Sequence, residues 1–182
     1  MRPSGDASFT GQPCPATTPG SPQRAGIEEL SGGSGPLPPG RVAIVASRYH
    51  VEACDAMVDA AVQTLQTAGL TSNQSILLTR VPGAWELPLG VQLAMRQPGI
   101  IGAIAIGVVI RGETTHDEHI NRAVSLQLMQ LATSASMPVA LGLLTCNTAE
   151  QVAARTGGAL GNKGAEAAEA VIEMLRLAAQ LN

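Results

Sequence analysis

The fold is decided by Ile100-Ile-Gly-Ala-Ile-Ala-Ile-Gly-Val-Val-Ile110 and the polar stretch after it, Arg111-Gly-Glu-Thr-Thr-His-Asp-Glu-His-Ile120. The first half is apolar almost without interruption. It is too short to span a bilayer and lacks the period of an amphipathic helix, so it reads as a strand buried on both faces. Arg111-Gly112 breaks it. Thr115 and Glu118 then have the spacing of a capping box, which predicts a helix start, and Ile120, Val124, Leu128 and Leu131 recur as one helical face requires. Strand, turn and helix make half of a βαβ unit. In open α/β sheets ligands bind at the carboxyl ends of strands, and free N–H groups at a helix start attract anions. His116 stands at that junction, where an imidazole suits proton transfer. The run His116 to His119 would equally make a plain solvated helix start.

Outward from this unit the pattern repeats. Arg41-Val-Ala-Ile-Val-Ala46 is a short β-branched run after Pro-Pro-Gly and reads as the first strand, with Ser47 to His50 as the turn at its end. Cys54, Met57, Val58, Ala61, Val62 and Leu65 then share a helical face that stops at Gly69. Ser75 to Thr79 is a second strand, and Pro82-Gly83 turns the chain into a helix that tolerates Pro88 in its first turn and ends at Pro98-Gly99. Pro138 to Thr145 is a fourth strand. Thr148 and Gln151 repeat the capping-box spacing, so a short helix delivers Arg155 ahead of Gly157-Gly158. Gly161-Asn-Lys-Gly164 leads into a last helix that turns Ala167, Ala168, Val171, Ile172, Leu175 and Ala178 inward. Strands alternating with helices imply a parallel sheet with right-handed crossovers and helices on both faces, a three-layer α/β sandwich.

The 182 residues make one domain of ordinary size, with a Pro/Gly/Ser-rich disordered tail expected over 1–40 and the folded domain over 41–182. A formal net charge of −3 gives no reason to expect nucleic acid or an anionic membrane as partner. Cys14, Cys54 and Cys146 are odd in number and lack metal-ligand spacing, so they read as free thiols in a reducing compartment, and no metal site is expected. Without an apolar segment of signal-peptide or membrane-spanning length, the protein is expected to be soluble and cytoplasmic. Only 2% of the chain is aromatic, so Tyr49 and Trp85, both beside strand ends, are expected to serve more than packing.

A parallel sheet collects its carboxyl ends on one edge. Tyr49-His50, Ala84-Trp85-Glu86, Gly112 to His116 and the loop after Thr145 therefore converge although far apart in sequence. Two flat rings, a carboxylate, histidines and a helix start suit a ligand with a planar heterocycle, several hydroxyls and an anionic group. Stacking a heterocycle on an aromatic ring is worth roughly 1–3 kcal/mol. Lys163, the sole lysine, and Arg155 bracket a Gly-rich turn that could hold a phosphate.

Val81-Pro-Gly-Ala-Trp-Glu-Leu-Pro88, Gly107 to His116, Pro138-Val-Ala-Leu-Gly142, Glu150-Gln151, Arg155 and Gly161-Asn-Lys-Gly-Ala-Glu166 together resemble the lumazine synthase family in order and spacing, over about residues 41 to 178. The resemblance implies a four-stranded parallel sheet of flavodoxin-like topology. It also implies condensation of 5-amino-6-(D-ribitylamino)uracil with 3,4-dihydroxy-2-butanone 4-phosphate, with no metal or organic cofactor. Carried over by position, His116 is the proton-transfer residue and Tyr49 the ring that stacks on the pyrimidine. Ala84, Trp85 and Glu86 bind ribityl hydroxyls, and Val108, Val109 and Ile110 present backbone groups to the pyrimidine. Glu113 and Thr114 offer N–H groups to the phosphate, which Arg155 clamps. Leu141 lines the pocket and Lys163 contacts substrate. Relatives form pentamers, often twelve in a hollow sixty-subunit shell, with active sites between adjacent subunits; the short turn from Gly157 to Gly164 resembles the shell-forming members.

Some positions depart from the pattern. Asp117 stands where an aromatic is usual, with Glu118 kept and placed to orient His116; His50 replaces Asn, Leu141 replaces Phe, and Cys146-Asn147 replace Thr and an acid. A second reading is therefore a catalytically weakened relative that forms a shell or binds flavin or lumazine. A generic flavodoxin-like nucleotide-binding domain is disfavoured, because Ser47-Arg-Tyr-His50 lacks the glycines that admit phosphates to the backbone.

Overall fold

A computed structural model describes residues 25–72 and 74–181. Strands β1 (Arg41–Ser47), β2 (Ile76–Val81), β3 (Ile100–Ile110) and β4 (Val139–Cys146) pair in parallel in the order β2-β1-β3-β4. This is the doubly wound, flavodoxin-like arrangement. The central strands β1 and β3 are buried along almost their whole length, as near-continuous apolar runs require, whereas edge strand β4 alternates buried and open positions.

Helices cover both faces. α1 (Val51–Thr67) and α5 (Lys163–Leu181) pack on one, around Ile44, Met57, Leu65, Ile104 and Val171. On the other, α2 (Leu87–Met95) and α3 (His116–Ala135) enclose Val45, Leu87, Val91, Val124 and Leu128. These stripes are the ones the helical periods predict. α1 and α5 meet without side-chain spacing at Gly164, where an added Cβ would fall 1.9 Å from the Met57 carbonyl oxygen.

Three local expectations are corrected. The Thr115–Glu118 box does not form: Thr115 makes no side-chain cap bond, and the Glu118 N–H donates to the Thr115 carbonyl at 3.1 Å instead. Thr115 has φ −82° and ψ 14°, whereas a hydroxyl reaches the third N–H from the extended backbone that Thr148 has, φ −141° and ψ 162°. Thr148 accordingly accepts from the Gln151 N–H in α4 (Ala149–Arg155), while Gln151 Oε1 accepts from the Asn147 N–H at 2.8 Å, one residue outside the expected box. The Gly157–Gly164 turn contains a small antiparallel hairpin, β5 (Thr156–Gly158) with β6 (Gly161–Asn162). Asn162 ties it to α1 by donating from Nδ2 to the Ala56 carbonyl at 3.0 Å.

Residues 1–24 of the expected tail lie outside the described residues. From 25 to 40 the chain has neither helix nor strand, yet part of it lies on the domain. Gly32 is buried, the Ser31 carbonyl accepts from Gln180 Nε2 at 2.8 Å, and Leu37 packs on the α1–α5 core. No helix among the described residues is long and apolar enough to cross a membrane.

Candidate active site

The site begins with a mismatch in strand length. β1 pairs with β3 as far as Ala46 and Ile106, while β3 goes on pairing with β4 to Ile110 and Cys146. Past Ile106 the β1 side of β3 therefore has no strand beside it. Val108, Val109 and Ile110 border a cavity of about 370 Å³ there. Its other walls are Tyr49 and His50 from the end of β1, Gly83, Ala84 and Trp85 from the turn after β2, and Gly112, Thr114, His116, Asp117 and Ile120 from the start of α3.

Each contributor is held by its local chain. Ser47 Oγ accepts from the Tyr49 N–H at 3.0 Å, and the Arg48 N–H donates to the Val81 carbonyl at 2.8 Å, which fixes the β1 turn against the end of β2. The next turn is a 3₁₀ segment, Ala84–Glu86, closed by Glu86 Oε2, which accepts from the Gly83 N–H at 2.9 Å. Trp85 is 59% exposed and Tyr49 67%, so neither ring is spent on the core. The Arg111 N–H donates to the Cys146 carbonyl at 2.8 Å, after which the chain leaves the sheet for α3 and His116.

Tyr49, Ala84, Trp85, Val108, Val109, Ile110, Thr114 and His116, all singled out by sequence, thus share one cavity. Glu86, Glu113, Leu141, Arg155 and Lys163 do not line it. Leu141 is half exposed on β4, on the face that Val139 and Leu143 turn toward α3. Arg155 Nη1 donates to the Gln151 carbonyl at 3.1 Å within its own helix. Lys163 pairs with Glu166, three residues on in α5. Among the described residues no hydrogen bond joins Glu118 to His116. No grouping of three or more His, Cys, Asp or Glu there could hold a metal ion.

Sequence reasoning passed over a second cavity, of about 630 Å³, between the start of α1 and α4. Arg48, Glu52, Ala149, Val152 and Thr156 line it, and Tyr49, His50 and Ile110 border both cavities. Spacing carried no sign of it, because α1 and α4 are far apart in the chain. Asp117 also lines the first cavity, with a shielded Oδ1 that has no hydrogen-bond partner among the described residues.

A doubly wound α/β domain with rings, an imidazole and a helix start gathered at the carboxyl edge of its sheet defines a class: the small-molecule-binding domains whose ligand sits outside the strand ends. The 6,7-dimethyl-8-ribityllumazine synthase family model matches residues 39–179, and the chain belongs to that family. It is 57% identical over 151 residues to a 6,7-dimethyl-8-ribityllumazine synthase of Rhodopirellula baltica, covering 83% of this chain and 97% of that protein.

Proposed function

We propose that this chain is the transferase that condenses 5-amino-6-(D-ribitylamino)uracil with 3,4-dihydroxy-2-butanone 4-phosphate to 6,7-dimethyl-8-ribityllumazine, releasing inorganic phosphate and water, the penultimate step of riboflavin biosynthesis. The observation that carries this reading is the cavity joining Tyr49, Trp85 and His116 at the free end of β3 in a chain of this family. Tyr49 stacks on the pyrimidine, and the backbone of Val108 to Ile110, which has β4 on one side and no strand on the β1 side, meets its polar edge. Ala84, Trp85 and Glu86 hold the ribityl chain, while the N–H groups of Glu113 and Thr114 receive the phosphate. His116 moves protons between the condensing amine, the carbonyl and the departing water, a contribution of about 10²–10⁴ in rate. Holding both reactants in one cavity supplies much of the rest. Neither metal nor organic cofactor enters these steps.

Leu141, Arg155 and Lys163 complete the site from an adjacent copy in a homopentamer, with a sixty-subunit shell as a further level of assembly. The open apolar residues Leu89 and Leu93 on α2 and Leu126 and Met129 on α3 support such a boundary, and Leu89 also borders a groove between α2 and α3 lined by Trp85, Pro88, Ala123 and Leu131. The free thiols of Cys54 and Cys146 favour a cytoplasmic protein, and the family match starting at residue 39 favours a domain boundary near 40. The test is incubation with both substrates: the enzyme forms a lumazine with its own absorbance and fluorescence, and His116→Ala abolishes it. Tight lumazine or flavin binding without turnover by the unaltered protein would select the non-catalytic reading.

A further inference from the structure

His50 has φ 54° and ψ 51°, one of two residues other than glycine with positive φ among those described. That left-handed backbone is sterically costly for a side chain with a Cβ and a ring, and such outliers persist where the surrounding structure over-determines them. His50 is the residue before α1; its carbonyl accepts from the Cys54 N–H at 3.0 Å, but its side chain makes no capping bond. What the backbone does achieve is a contact. It turns the imidazole onto the ring of Tyr49, with centroids 4.7 Å apart and planes at 77°, an edge-to-face pair. Both rings stand between the two cavities.

An open tyrosine in a turn has several rotamers, and a ligand that stacks on it must select one. We infer that His50 is a positioning residue, whose strained backbone holds the imidazole against Tyr49 so that the phenol ring is already set across the cavity mouth when a planar heterocycle arrives. The inference deepens the proposed site and rests on it. It assigns His50 a part in binding the pyrimidine partner and none in handling the phosphate-bearing one.

The test uses the full-length protein with His50→Asn, His50→Gly and His50→Phe. Asn and Gly enter the left-handed region more easily than His, so both variants fold at least as stably, and any kinetic loss is not a folding loss. Expected is a rise of about three- to tenfold in KM for the ribitylated pyrimidine in His50→Asn and His50→Gly, the factor an edge-to-face pair represents. KM for the butanone phosphate and kcat stay within about twofold, and His50→Phe, which keeps a ring, recovers most of the pyrimidine KM. An unchanged pyrimidine KM in His50→Asn, an equal rise for both substrates, or no recovery in a folded His50→Phe would overturn the inference. Absence of lumazine from the unaltered protein would instead overturn the proposed reaction, a separate outcome.

Discussion

Gly164 lies against Met57 so closely that the backbones of α5 and α1 touch, with the position of a Cβ on residue 164 only 1.9 Å from the Met57 carbonyl oxygen. The Gly164 N–H donates to Asn162 Oδ1 at 2.9 Å, and Asn162 Nδ2 donates to the Ala56 carbonyl, so one asparagine fastens both helices at the point of approach. Gly164→Ala must push them apart along a buried face. We expect a loss of about 3 kcal/mol or more, or failure to accumulate folded protein, read by denaturant unfolding. An alanine variant of native stability would show that the helices can separate at little cost.

Cys54 provides a check that needs no substrate. Burial pushes its thiol up to about 11 against an ordinary 9.0; the Arg80 charge opposes this, Asp55 adds to it, and a backbone bond from Val108 opposes it again. A folded pKa above the unfolded one means the native state keeps its proton longer. Stability from this group is therefore fully present below about pH 9 and is lost as pH rises through 11, by on the order of 2–3 kcal/mol. Unfolding followed between those pH values should show a steeper decline than in Cys54→Ala. Thiol labelling of the native protein at pH 8, mapped by mass, should spare Cys54, and prompt modification there would contradict its burial.

Arg155 lies away from the cavity within one chain, its side chain bonded, among the described residues, to its own helix at Gln151. If it clamps the phosphate from a neighbouring copy, Arg155→Ala weakens the phosphate-bearing substrate by tenfold or more, the cost of about 1.5–3 kcal/mol for a lost bond to a charged group. Binding of the ribitylated pyrimidine stays nearly intact. Measured by separate titrations, equal losses for the two ligands would refute the assignment.

Leu126 and Met129 are 62% and 64% exposed on α3 and have no partner within the described chain that would explain them. Leu126→Glu with Met129→Glu should leave the fold intact, because neither side chain is in the core, and, if the chain assembles as proposed, should shift sedimentation to a smaller species. An unchanged oligomer would place the subunit boundary elsewhere. Activity should fall with assembly, since Leu141, Arg155 and Lys163 would no longer reach the neighbouring cavity.

Much of this protein was legible because its strands and helices have clean periods. The unbroken Ile100–Ile110 run means a strand covered on both faces, and the Val124, Leu128, Leu131 stripe means a helix with one face to give. From these the parallel sheet and the convergence of Tyr49, Trp85 and His116 follow, because one edge collects all carboxyl ends. Motif spacing did less well where backbone angles decide: the same Thr-x-x-Glu/Gln pattern caps α4 from Thr148 but not α3 from Thr115, since only Thr148 is extended.

The chain's own residues determined the alternating elements, the parallel sheet and the edge that carries the chemistry, through hydrophobic period and the handedness of crossovers, while the topology of the sheet was expected only from the family resemblance. Tertiary structure alone decided the rest. Where β1 stops short of β3, which side chains meet across the opening, and that His50 adopts a left-handed turn beside Tyr49 all depend on registers and contacts between segments far apart in sequence. A local pattern cannot encode them, because each is set by how whole elements settle against one another.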